Sequence, residues 1–291
     1  MEQGCVFTGN HGDFHYIDWG GTGPLAHFSH ATGFCAGLYT PLIEPLRPYL
    51  QIFGLDDRGH GRTTALADPQ NLTDWRVFAA DLEEFLVYLG GPVIAIGHSR
   101  GAVSSMMVAA RHPTVIRSLV LIEPVILSTY WNWILRIVKK TGLKQLIPIV
   151  RRAAKRRNIW PDKDSMLTAY QNRGSFRSWT PEFLKSYVAS CTEVAANGTV
   201  KLCCDPEWES KCFAVCPHDV LEYVPRLTCP TLVLYGGNSD VFSASVAKRL
   251  KTIAPSIERR CIAEASHFLP MERPRECAEA ILAFLKDRNI I

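Results

Sequence analysis

Ser99 sits in the frame Gly97-His98-Ser99-Arg100-Gly101, directly after the apolar run Pro92-Val93-Ile94-Ala95-Ile96 and directly before a helical pattern. A side chain exposed on a sharp strand-to-helix turn needs small neighbours two residues away on each side, and the glycines supply them. The first turn of the helix then presents free N–H groups to a reacting oxygen. These are the requirements of a nucleophile. A serine hydroxyl is weak at neutral pH, so it needs a base in hydrogen-bond reach and a third group to orient that base. His267, in Ala265-Ser266-His267-Phe268-Leu269-Pro270, follows a late strand pattern and is the candidate base. Asp240 follows the strand ending Tyr235-Gly236-Gly237 and is the candidate acid, giving the chain order nucleophile, acid, base. Glu123, after the strand ending Ile122, is the alternative acid; Pro124 restricts it to extended backbone, which favours Asp240. The bland roles are a helix N-cap for Ser99, a surface turn for Asp240 and an inert loop for His267.

The elements that must position these groups alternate in type. Strand patterns at Phe14 to Trp19, Leu25 to Ser29, Gln51 to Leu55, Pro92 to Ile96, Ile116 to Ile122, Thr231 to Tyr235 and Ile257 to Ile262 are separated by helical ones. Trp75, Phe78, Leu82, Phe85 and Leu89 mark one such helix, closed by Gly90-Gly91, and Pro274 opens the last. The alternation predicts an α/β fold with a mostly parallel central sheet covered by helices on both faces. From Leu127 to Val224 it disappears, and tryptophans, prolines and basic residues surround short helical patterns. The expected organisation is a core of residues 1–126 and 225–291 with a helical cap insertion, 127–224.

The chain has 291 residues, 47% of them hydrophobic, and a formal charge of +4, which suits a large buried core and argues against a nucleic-acid binder. Its start has neither a basic n-region nor an apolar h-region, and no run approaches about 18 apolar residues, so a cytoplasmic protein is expected. Ten cysteines are scattered. Cys191, Cys203, Cys204, Cys212 and Cys216 cluster near His218 but form no CxxC pair, so neither a metal nor an organic cofactor is expected.

His30-Ala31-Thr32-Gly33-Phe34, Asp57-Arg58-Gly59-His60-Gly61-Arg62, the Ser99 elbow, Gly236-Gly237-Asn238-Ser239-Asp240 and Ser266-His267, in that order, resemble the α/β-hydrolase superfamily and its cap-bearing esterase-like members. The resemblance covers nearly the whole chain outside the cap. It implies a Ser99–His267–Asp240 triad and an oxyanion hole made by the backbone N–H groups of Thr32 and Arg100, with Ala31 standing where the family more often has glycine. It also implies that His60 belongs to a structural turn. A serine at position 99 disfavours the dehalogenase and epoxide-hydrolase branches, which use aspartate. The expected reaction is acyl transfer from a small-molecule carboxylic ester through an acyl-enzyme. The alternatives are a C–C bond hydrolase or perhydrolase on the same triad, and a ligand receptor that keeps the fold.

Candidate pocket residues are Phe34, His98, Phe176 and Trp179, with Tyr170, Arg173 and Tyr187 nearby in the cap and His98 read as packing beside the nucleophile. Between Arg136 and Arg157 stand nine Lys or Arg residues and no acid, interleaved with Trp133, Ile137, Leu143, Leu146 and Ile149. A solvated amphipathic face is the expected reading, with membrane-surface contact as the alternative.

Overall fold

The strand that leads into Ser99 lies at the centre of the sheet, and its sequence explains why. In a computed structural model, which describes residues 3–291, all six residues of Val93–His98 are buried. Ile94 and Ile96 pack into one hydrophobic cluster, and Val93 and Ala95 into the other, on the opposite face. A strand apolar on both faces can only sit between two layers of helices.

Eleven strands are present among the described residues: β1 (Gln3–Gly9), β2 (Gly12–Gly20), β3 (Leu25–Ser29), β4 (Gln51–Leu55), β5 (Val93–His98), β6 (Ile116–Ile122), β7 (Ile159–Trp160), β8 (Thr192–Val194), β9 (Val200–Leu202), β10 (Thr231–Gly236) and β11 (Glu258–Ile262). Eight form the main sheet in the order β1-β2-β4-β3-β5-β6-β10-β11. β1 and β2 form an antiparallel hairpin, β2 is antiparallel to β4, and every other pairing is parallel. The α/β class and the mostly parallel sheet agree with the alternation in the sequence. β1 is the one main-sheet strand that the alternation did not reveal, since Gln3-Gly4-Cys5-Val6-Phe7-Thr8-Gly9 has little apolar period, and the short strands β7, β8 and β9 lie in the segment expected to be helical.

The helices are α1 (Thr40–Ile43), α2 (Arg76–Tyr88), α3 (Arg100–Arg111), α4 (Thr129–Thr141), α5 (Pro148–Ala154), α6 (Lys163–Tyr170), α7 (Pro181–Ser190), α8 (Pro206–Ala214), α9 (Ala244–Ile253), α10 (Leu269–Glu272) and α11 (Pro274–Asp287). Phe78 and Leu82 of α2, Met106 of α3 and Leu250 of α9 fill one face; Ile281 and Leu285 of α11 fill the other. Each such buried side chain contributes about 1.5–3 kcal/mol.

β6 and β10 pair directly, so the chain leaves the sheet after Ile122 and returns at Thr231. The excursion carries α4 to α8 and a small antiparallel sheet, β7-β9-β8. It is tied to the core at several points. Trp208 Nε1 donates to Arg58 O at 3.1 Å, Trp75 Nε1 to Cys212 O at 2.8 Å, and Thr180 N to Met271 O at 2.9 Å. Gly59 must be glycine here, because a Cβ would lie 2.2 Å from Trp208 Nε1. The cysteines of the segment are spread through its packing. Cys191 Sγ lies 3.3 Å from Cys35 Sγ, while Cys204, Cys212 and Cys216 are buried in the cluster around Trp208.

Candidate active site

Ser99 adopts φ 57° and ψ −116°, a conformation that non-glycine residues rarely adopt. The turn is held by Ser99 N donating to Ile122 O at 2.9 Å and Val103 N to Ser99 O at 3.2 Å. Its glycines are required by close approach. A Cβ on Gly97 would meet Ala102 N at 2.6 Å, and one on Gly101 would meet Ser29 O at 2.3 Å. Strain of this kind persists only where the surroundings over-determine it, and it turns the serine hydroxyl out of the strand at the C-terminal edge of β5.

His267 lies between β11 and α10. Its Nε2 is 2.9 Å from Ser99 Oγ and its Nδ1 is 3.1 Å from Glu123 Oε2. Glu123 is fully buried at the end of β6. Gly236 N donates to its Oε1 at 2.6 Å, and Ser239 Oγ to its Oε2 at 2.6 Å. An ionised carboxylate only accepts, so Nδ1 carries the proton and Nε2 is left to accept from the serine hydroxyl. Such a chain can withdraw the hydroxyl proton as the oxygen attacks an electrophile.

The carboxylate against His267 is therefore Glu123 and not Asp240, a correction to the sequence reading. Asp240 is exposed, beyond Ser239. The end of β10, from which Asp240 was expected to reach, instead supplies Gly236 N–H and Ser239 Oγ as donors to Glu123. Pro124 does not hold Glu123 extended either. Glu123 has φ 50°, fixed by Glu123 N donating to Leu234 O at 2.8 Å and by the carboxylate contacts.

Thr32 and Arg100 are brought together through the Arg100 side chain. Arg100 opens α3, where backbone N–H groups lack intrahelical partners. Its side chain is fully buried: Nε donates to Thr32 Oγ1 at 3.0 Å, Nη1 lies 2.7 Å from Asp57 Oδ2, and the guanidinium sits 4.1 Å over the Phe78 ring. A buried cation without a counter-ion would be costly, so Asp57 is a requirement of this packing. His60 belongs to the same turn, donating from Nδ1 to Arg58 O at 2.9 Å.

The profile of the family described as "Alpha/beta hydrolase family" matches residues 19–280. The chain belongs to the alpha/beta hydrolase family. Over 105 residues, 35% of this chain and 36% of the relative, the chain is 33% identical to 2-(acetamidomethylene)succinate hydrolase of Mesorhizobium japonicum. Over 110 residues, 36% of each, it is 31% identical to monoglyceride lipase of Mus musculus. These alignments thus span about a third of the relatives' length. A crystal structure of E-2-(acetamidomethylene)succinate hydrolase superposes with a TM-score of 0.82 at 19% identity, over 98% of this chain and 100% of that one, a likeness of fold.

An aromatic cluster adjoins the His267 loop. Phe268 lies 5.6 Å from Trp179 and 6.4 Å from Phe34, and Phe176 packs 4.7 Å from Trp179. Tyr187 meets both Phe34 and Phe176. Three of the four expected pocket residues are thus together. His98 is not with them. It is buried beneath the loop, where Nε2 donates to His267 O at 2.9 Å and Nδ1 accepts from Tyr39 OH at 2.8 Å. It holds the backbone of His267 rather than joining the aromatic cluster.

Glu272 was not foreseen. Its buried carboxylate accepts from Ser266 N at 2.7 Å and Ser266 Oγ at 2.6 Å, and from Ser178 Oγ at 2.6 Å, joining the His267 loop to the segment that carries Trp179. Arg156 was read as part of a basic run, but its Nη1 donates to both carboxylate oxygens of Glu209 at 3.0 Å and its Nη2 to Tyr187 OH. Glu209 in turn closes on Gly33, at which a Cβ would lie 2.2 Å from its Oε1.

Four buried histidines make a pH prediction. Burial pushes His27 down to about 3 and lowers His30, His60 and His98 from the ordinary histidine value of 6.5, His98 further by the neighbouring His267. Above pH 6.5 they are neutral in both states and add no pH dependence. Below it the unfolded chain takes up protons that the fold refuses, so stability falls with pH, by up to about 1.4 kcal/mol per pH unit for each histidine. The melting temperature should therefore drop steeply from about pH 6.5 toward about pH 5. A flat profile over that range would contradict it.

Proposed function

We propose that this protein is a serine hydrolase that cleaves a carboxylic ester, or a related acyl substrate, through an acyl-enzyme. The observation that carries the reading is the continuous relay from Ser99 Oγ through His267 to Glu123, at 2.9 and 3.1 Å. His267 Nε2 takes the proton as Ser99 Oγ attacks the carbonyl carbon, and Glu123 holds the imidazole in the required tautomer and stabilises the imidazolium. Backbone N–H groups of Thr32 and Arg100 receive the developing oxyanion. Protonated His267 then gives its proton to the leaving alcohol. Water, deprotonated by the same nitrogen, releases the acid.

Residues 127–224 act in this reading as a cap whose aromatic side chains choose the acyl group. Phe34, Phe176, Trp179, Tyr187 and Phe268 form an apolar wall, and the nearby cation, Arg156, is already neutralised by Glu209. An apolar acyl chain suits such a wall better than a second carboxylate would. In this respect the likeness to a monoglyceride lipase weighs more than that to a succinate hydrolase.

The test is a series of p-nitrophenyl esters of graded chain length, with mass spectrometry of the quenched enzyme. A burst of p-nitrophenol and an acyl adduct on Ser99 are expected, while turnover without either would defeat the acyl-enzyme. Trp179→Ala and Phe176→Ala should change the ratio of long-chain to short-chain kcat/KM by about tenfold, the scale of one or two methylenes of pocket contact. Equal losses on every ester would assign these rings to packing alone.

A further inference from the structure

The apolar face of α4 points the wrong way for a helix that belongs only to the core. Tyr130, Trp133 and Ile137 fall at i, i+3 and i+7, one stripe of the helix, and are 67%, 63% and 41% exposed. Ile134, Leu135 and Val138 are half-buried on the other side of the helix, so its apolar surface is only partly covered. The exposure continues past the helix through Leu143, Leu146 and Ile149. Around it runs the stretch from Arg136 to Arg157, nine basic residues without an acid, of which Arg136, Arg151, Arg152, Lys155 and Arg157 are exposed.

We propose that this face docks the protein on an anionic lipid bilayer, the rings entering the headgroup region and the basic side chains meeting lipid phosphates and carboxylates. Tryptophan and tyrosine suit a boundary that is apolar on one side and wet on the other. A basic, aromatic amphipathic helix is built to lie in that plane. Charge opposes the simplest rival: a second copy pairing through the same face would bring an equally basic surface against this one. The start of α4 is linked to the core, where Arg249 Nη1 of α9 donates to Thr129 Oγ1 at 3.0 Å. α4 begins shortly after Glu123, so docking would set the orientation of the Ser99 site to the bilayer. The proposal does not depend on the ester reading.

The full chain should be sedimented with vesicles of phosphatidylcholine alone and of phosphatidylcholine with phosphatidylserine. Salt should be about 0.1 M and about 1 M, across which the Debye length falls from about 10 Å to about 3 Å. Binding to the anionic vesicles at low salt is expected, at least tenfold weaker at high salt, on neutral vesicles and in the Trp133→Ser/Ile137→Ser double variant. Arg151→Glu/Arg152→Glu, which removes no apolar contact, should weaken it similarly and keeps the test valid if the first pair misfolds. Absence of binding at low salt, equal binding to neutral vesicles, or a folded variant that binds like wild type would overturn the proposal. So would concentration-dependent dimerisation that the Trp133 and Ile137 changes abolish, because it would hand the face to a second copy.

Discussion

Ser99→Ala should turn over p-nitrophenyl esters on the order of 10⁶ more slowly than the wild type, because triad members act as a unit and loss of one forfeits most of what all contribute. The change removes one oxygen from a residue only 8% exposed, whose backbone turn is held by Ile122 O and by close-packed glycines. The substitution therefore leaves the turn's own hydrogen bonds in place. The φ of 57° is no kinder to alanine than to serine, so the strain is shared by both proteins and cancels in the comparison. The expected result is an inactive protein with a wild-type melting curve. Undiminished activity in a folded variant would remove Ser99 from the chemistry altogether.

The second large effect separates two carboxylates. Glu123→Gln should lower turnover by about 10⁴, the scale seen when a neutral amide holds a catalytic histidine in the wrong tautomer. The introduced amide can present its NH₂ to His267 Nδ1, which puts the imidazole proton on Nε2 and blocks proton transfer from Ser99. That amide also meets Gly236 N and Ser239 Oγ, which donate to the native carboxylate, so some destabilisation accompanies the loss. Stability and chemistry are told apart by the melting curve and by kcat, since a folded Glu123→Gln protein that still falls by about 10⁴ has lost chemistry. Asp240→Asn, at an exposed position, should leave turnover within a factor of about two. If Asp240→Asn proved the crippling change and Glu123→Gln the mild one, the relay drawn above would be wrong.

The sequence by itself determined the scaffold and two of the three groups that meet in the hydrogen-bonded chain at Ser99. Continuous apolar runs such as Val93-Ile94-Ala95-Ile96 can be satisfied only in a strand covered on both faces, and the glycines at 97 and 101 mark where backbone must pass without room for a Cβ. Ser99 and His267 follow from local signals of that kind. The acid does not. Asp240 and Glu123 each stand beyond a strand end, and local pattern cannot say which carboxylate the sheet order brings beside the histidine. That choice depends on β6 lying between β5 and β10, on the positive φ of Glu123, and on donors from Gly236 and Ser239 that exist only when the strands are assembled.

The same division holds elsewhere. His98 looked like a pocket residue because it adjoins Ser99, yet side chains alternate along a strand, so a neighbour in sequence points to the other side. Glu272 and Arg156 carried no distinguishing motif, and their roles rest on partners 94 and 53 residues away. For α4, the spacing of Tyr130, Trp133 and Ile137 already specified one apolar stripe. Whether that stripe met the core or the solvent was decided only by tertiary packing, because helical period defines a face and says nothing of what covers it.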